Sequence, residues 1–168
     1  MSSKRWVLSV LAASSLVGLG VNAQASENAN ADLEHVTNAQ ACIDRMQKFN
    51  EEQLDGQIDA QELAYAILHL QKDNRLPQKY LSKHKARSLG WVPGAAFDDI
   101  EALKGKALGG DHFGNYENKL PRNGYHEADL DYQGKQRNAK RLVYTPYAKP
   151  AYVTINHYQS FIKVPSCQ

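Results

Sequence analysis

Cysteine is scarce in this 168-residue chain, with two residues only, Cys42 and Cys167. Two thiols limit any internal cross-linking to a single bridge, 125 positions long. A long apolar run is missing as well. The most apolar stretch, Trp6 to Val21, is diluted with Ser and Gly and is too short for a membrane span. Lys4 and Arg5 precede it and Ala23-Gln24-Ala25 follows it, the layout of an export signal with a small-x-small cleavage site. Removal after Ala25 leaves 143 residues, enough for one domain with one core. No internal repeat is present, which excludes a solenoid.

A strong net charge is lacking too. Residues 1–25 hold two of the 20 Lys and Arg, so the remainder balances at 18 bases and 18 acids. The balance conceals an asymmetry. Residues 26–56 carry seven acids and two bases, whereas 57–168 carry 16 bases and 11 acids. A basic body suits a polyanionic substrate, although an excess of five is a weak pointer. Export to an oxidising compartment makes a Cys42–Cys167 bridge the default, tying the acidic N-terminal extension to the C-terminal tail.

Three regions follow: a signal segment (1–25), an acidic extension (26–56) and a basic body (57–168). Residues 26–38 have few apolar side chains and read as a mobile leader. Ala39, Cys42, Ile43, Met46 and Phe49 form a helical stripe. Asp59 with Glu62 resembles a capping box, opening an amphipathic helix through Ile58, Leu63, Ala66, Ile67 and Leu70. Ser82 and Gly90 bracket a short helix, and 98–103 reads as a helical turn. Beyond Gly109-Gly110 the composition turns to Tyr, Val, Ile and Thr. Strands are expected at 106–112, 124–132, 140–145, 151–155 and 159–163. Helices followed by consecutive strands give α+β with an antiparallel sheet.

Between the first two helices, Glu51 to Glu62 approximates a calcium loop, with Gly56 at the turn and Glu62 as last ligand. Gln53 is a poor ligand and the first position lacks Asp, so a capped helix start is the preferred reading.

Glu127, Arg137, Arg141 and His157 lie within the strand-rich half. A carboxylate, two guanidiniums and an imidazole suffice to cleave RNA: a base for the 2′-OH, a cradle for phosphate and an acid for the leaving oxygen. Their surroundings add weight. Arg75-Leu76-Pro77, Tyr80-Leu81-Ser82-Lys83, Leu89-Gly90-Trp91, Gly109-Gly110-Asp111-His112-Phe113, Lys119-Leu120-Pro121, Glu127-Ala128-Asp129-Leu130-Asp131-Tyr132, Arg137-Asn138 and His157-Tyr158-Gln159-Ser160-Phe161 stand in order. Together, over residues 63–163, they resemble the barnase-type secreted bacterial ribonucleases.

That resemblance implies N-terminal helices on a five-stranded antiparallel sheet and a monomeric, metal-independent, guanine-preferring endoribonuclease without cofactor. It implies cleavage through a 2′,3′-cyclic phosphate, then hydrolysis. It makes Glu127 the general base, His157 the general acid, and Arg137, Arg141 and Lys83 the cations around the phosphate. It makes Phe113, Gly114, Asn115, Tyr116 and Glu117 the guanine-recognition loop and Tyr158 the aromatic beside the acid. A barstar-like inhibitor protein in the producing cell is the partner it implies besides RNA. Three departures stand out. Tyr116 replaces an arginine of the family's best-known member, residues 122–126 are shorter before Glu127, and the extension and cysteine pair have no counterpart there. The extension's charge, anchored through Cys42, suggests a cover over the basic cleft that attenuates activity.

Overall fold

A computed structural model of the chain describes residues 21–167, so the expected signal segment lies outside the described residues except for its last five. The chain divides into two compact units, 1–34 and 35–168. In the first, what is described is the opening part of helix α1, Val21–Leu54. This replaces the mobile leader expected at 26–38. Alanines at 23, 25, 29, 31, 39 and 41 lower the cost of helix there even without an apolar stripe.

The second unit holds the rest. Within it α1 buries Cys42, Met46, Phe49 and Leu54, one face of the helix. Helix α2, Ala60–Asp73, begins at Asp59, whose carboxylate accepts from the Gln61 and Glu62 amides. The reciprocal half of the expected capping box is not made. Glu62 instead accepts from Lys79 Nζ (2.6 Å), the Tyr80 hydroxyl (2.8 Å) and the Asp131 amide (3.1 Å). Its oxygens tie α2 to the sheet, which matches a capped helix start and leaves no free bidentate ligand. Leu63, Ala64, Ala66, Ile67 and Leu70 are at most 1% exposed and form the centre of the main core with the α1 residues. Each large aliphatic side chain buried there stabilises by about 1.5–3 kcal/mol. The packing runs without a break across residue 56, and the Cys42–Cys167 disulfide joins α1 to the C-terminal tail.

The short helix α3, Lys83–Ser88, is capped by the Ser82 hydroxyl accepting from the Lys85 amide. The sheet is a meander in sequence order: β1 Tyr80–Leu81, β2 Ala107–Phe113, β3 Tyr125–Asp129, β4 Arg141–Tyr144, β5 Ala151–Thr154 and β6 Ile162–Lys163. The five expected strands are present and antiparallel. A sixth, β1, too short for a period-two pattern, pairs parallel with β2.

Alternation sorts the strands into two faces. Ala128, Leu142, Tyr144, Ala151 and Val153 join the helix-side core. Tyr125, Val143 and Leu120 form a second cluster with Phe113, Tyr152, Tyr158 and Phe161. One bulge decides what shares that second face. Gly109 pairs with Ala128 but Asp111 pairs with Glu127, because Gly110, at φ +94°, is the extra residue. The bulge turns Asp111 to the side of Glu127. Gly109 faces the helices so closely that a Cβ would stand 2.8 Å from the Tyr80 ring and 2.9 Å from Leu76.

Candidate active site

Glu127 sits in the middle of β3, between β2 and β4, with its side chain 12% exposed. Lys83 Nζ lies 2.9 Å from one carboxylate oxygen, and the Tyr158 hydroxyl donates to the other. Burial alone would raise the carboxyl's pKa. The Tyr158 hydrogen bond, the Lys83 hydrogen bond and charge, and the Arg141 charge together outweigh it. The carboxyl is held below its ordinary value and is an anion at neutral pH. Burial and the neighbouring carboxylate push the Tyr158 phenol far up, so Tyr158 stays a donor. Of the crowded cations on 79–85, Lys83 is thus the one that enters the site. Lys79 pairs with Glu62, and Lys85 is exposed. The Lys83 amide donates to Asp111 Oδ2 (2.9 Å), which fixes the start of α3 against β2.

Arg137 and Arg141 converge on Asp129, two residues beyond Glu127 on the same strand face and 2% exposed. Arg137 donates through Nε (2.8 Å) and Nη2 (2.5 Å) in a two-pronged fork. That fork holds its guanidinium charged and raises its pKa. Arg141 Nε lies 3.0 Å from Asp129 Oδ1, close enough for an ion pair but not aligned as a hydrogen bond. Its Nη1 donates to the Lys140 carbonyl (2.6 Å) and to Asn138 Oδ1 (3.3 Å). The Asp129 carboxylate is the residue that sequence reasoning underused. Period-two spacing from Glu127 was the signal for it.

His157 is exposed, at the turn between β5 and β6, with its ring centroid 4.8 Å from that of Tyr158. His157 and Tyr158 both have left-handed backbone, φ +53° and +69°, a costly conformation for side chains of this size. The turn is held from outside. His157 N donates to the Ala139 carbonyl, Tyr158 N to Thr154 Oγ1 and Ser160 N to Asn156 Oδ1. Tyr158 is therefore the link: one end bonds Glu127, and its ring lies beside His157 and stacks on Phe113 at 5.2 Å.

Phe113 to Glu117 border a cavity of about 310 Å³ together with His112, Lys119, Glu127, Tyr158 and Phe161. The expected recognition loop and the carboxylate thus share one space. Asn115, at φ +44°, clamps the loop with reciprocal bonds between its side chain and the Leu120 backbone (2.8 and 3.1 Å). Phe113 is half-buried against the second core cluster and supports the loop from beneath. Tyr116 is 90% exposed, folded over Gly114, where a Cβ would meet its ring at 2.3 Å. Glu117 is exposed and paired with Lys119 at 2.6 Å; Lys119 also donates to the Tyr158 carbonyl (3.0 Å).

The α1 residues 42–54 pack on the opposite, helix-side core. They do not cover this cavity, so the cover expected of the extension is not what this part of it forms. Among the described residues no helix is long and apolar enough to cross a membrane.

Sequence comparison converges with the geometry. The family model described as ribonuclease matches residues 66–165. A ribonuclease of Heyndrickxia coagulans is 38% identical over 99 residues, covering 57% of this chain and 89% of that one. Ribonucleases of Bacillus intermedius and Bacillus pumilus are 38% identical over 99 residues, covering 57% of this chain and 60% of each of theirs. The matched span contains every residue of the site described above, and the chain belongs to the ribonuclease family.

Proposed function

We propose that the chain is an exported, monomeric endoribonuclease that cleaves single-stranded RNA on the 3′ side of guanosine. The observation that carries this is the Glu127 carboxylate, kept ionised by Tyr158 and Lys83 at the wall of the cavity bordered by 113–117. Glu127 takes the 2′-OH proton as the oxygen attacks phosphorus. Lys83, Arg137 and Arg141 oppose the charge that grows on the phosphoryl oxygens. His157, exposed at the cleft edge, protonates the departing 5′-oxygen, and the cyclic phosphate is then opened by water with the two roles reversed. The export signal, the RNA substrate and a barstar-like inhibitor in the producing cell belong to the same reading.

Base choice rests on the loop. In this reading the loop clamped by Asn115 offers backbone amides to guanine O6, while Glu117, released from Lys119, accepts from N1–H and N2–H₂. Adenine lacks that donor pair and would leave Glu117 unmatched, a mismatch that discriminates strongly. Initial rates on GpA, ApA, UpA and CpA test this. GpA is expected to be cleaved fastest, and Glu117→Ala to remove most of its lead while leaving the others near their own rates. Equal rates on all four with wild-type protein would discredit the loop assignment and keep the cleavage chemistry.

The lowered Glu127 pKa gives a second expectation. The acid limb of kcat/KM reports the free enzyme's base. It is expected to lie below the ordinary carboxylate range, because Tyr158, Lys83 and Arg141 lower the Glu127 pKa. Tyr158→Phe removes the largest of the interactions that lower it, so the limb moves up in pH. An unmoved limb in a folded Tyr158→Phe protein would show that Glu127 is not the base.

The alternative, an RNA-binding module without cleavage, uses the same basic cleft. It has no need for a buried anion beside an imidazole-bearing turn.

A further inference from the structure

His112 and His126 face each other across β2 and β3, in register, one pair along from Asp111 and Glu127, and His112 also borders the cavity that Glu127 lines. Their ring centroids are 6.4 Å apart, with the rings nearly perpendicular. His126 Nδ1 lies 3.1 Å from the Gly110 carbonyl. A carbonyl can only accept, so that contact assigns the proton to Nδ1 and leaves the His126 Nε2 lone pair free. A carbonyl that accepts from the other ring nitrogen in this way fixes the tautomer and orientation of a metal-binding imidazole. On the far side His126 stacks on Tyr144 at 5.8 Å, which sets the plane of its ring. His112 is exposed and free to rotate.

We infer that His112 and His126 form a two-histidine chelate for a divalent transition ion of the zinc, nickel and copper class. Imidazole nitrogen suits these ions and does not suit magnesium or calcium. Bonds of about 2.0–2.1 Å from each nitrogen to a shared ion need the rings on the order of 1 Å closer. A side-chain rotation of His112 supplies that approach without moving the strands. Among the described residues no group of three or more His, Cys, Asp or Glu side chains is placed to hold a metal. Water therefore completes the coordination, and the site is an accessory clip and not a structural zinc centre. It lies at the loop end of the β2–β3 hairpin, one pair before Phe113 and Tyr125, so a bound ion cross-links the two strands where the 113–117 loop leaves them.

Calorimetric titration of the full mature protein with zinc chloride tests the inference, and thermal melting with and without zinc gives a readout independent of cleavage. Expected are one ion per chain, a higher melting temperature with zinc, and no heat with magnesium. His112→Gln and His126→Gln each weaken binding by roughly 100-fold, because each leaves a single imidazole without its chelate partner. Both lose the zinc-dependent rise in melting temperature. His69→Gln, an imidazole elsewhere on α2, retains binding. Full-strength binding in either His112→Gln or His126→Gln, or no binding by wild-type protein, would overturn the inference. These outcomes are separate from the ribonuclease reading, since heat of zinc binding and melting temperature are read without any cleavage.

Discussion

Glu127→Gln and His157→Ala are each expected to slow RNA cleavage by about 10²–10⁴-fold, the usual worth of a positioned general base or acid. The two losses have different structural costs. Glu127→Gln keeps the shape of the side chain and can still accept from Tyr158, but it removes the partner of Lys83. Lys83 is 34% exposed and its charge can be met by water, so the fold survives. His157 is exposed and its imidazole supports no core cluster, so alanine there leaves packing intact. The backbone bond from His157 N to Ala139 is unaffected by that change. Near-UV circular dichroism should be native for both. Near-normal turnover in either folded variant would remove that residue from the mechanism.

The Glu127 pair also sets a pH signature for stability. The carboxyl's folded pKa lies below its unfolded value, so its contribution is present above the unfolded pKa and is lost as pH falls through the folded one. Wild-type protein should therefore exceed Glu127→Gln in stability at neutral pH, with the gap closing below about pH 4.5. Parallel denaturant titrations at several pH values check the sign.

The second large effect concerns the extension. Removing residues 26–56 takes Cys42, Met46, Phe49 and Leu54 out of the core and breaks the link to Cys167. Each large apolar side chain contributes about 1.5–3 kcal/mol. A bridge closing so long a loop contributes on the order of 4–5 kcal/mol in the chain-entropy model. Whole domains are stable by only about 5–15 kcal/mol. Truncation at 57 is accordingly expected to abolish cooperative unfolding or lower its midpoint drastically. A milder probe keeps the chain whole: Met46→Ala should cost about 2–5 kcal/mol. A truncated protein that melts like the full chain and turns over faster would restore the idea of an attenuating cover. It would also contradict the continuous core.

Much of this was legible beforehand, for identifiable reasons. Strands β4 to β6 follow β-branched and aromatic clusters between Gly, Pro and Asn. The start of α2 follows Asp59, whose cap is local chemistry. What escaped was decided by contacts between distant segments. Glu62 abandons its helix cap because Lys79, Tyr80 and the Asp131 amide offer it more. Asp111 joins the face of Glu127 only through the bulge at Gly110. The role of α1 as a core element depends on where its apolar stripe lands, and net charge, which suggested a cover, carries no information on that. In the site, Lys83 and Tyr158 both hydrogen-bond Glu127. Arg137 and Arg141 are first of all partners of Asp129, a carboxylate visible in the sequence but without an assigned purpose until the strand register is known.

The most direct test of the cleavage mechanism is the identity of the first product from GpA, followed over time by chromatography with EDTA present. Guanosine 2′,3′-cyclic phosphate should accumulate first and convert later to the 3′-phosphate, with Glu127→Gln and His157→Ala suppressing its formation. Direct release of a 5′-phosphate, or folded wild-type protein that binds GpA and leaves it uncut, would contradict the account.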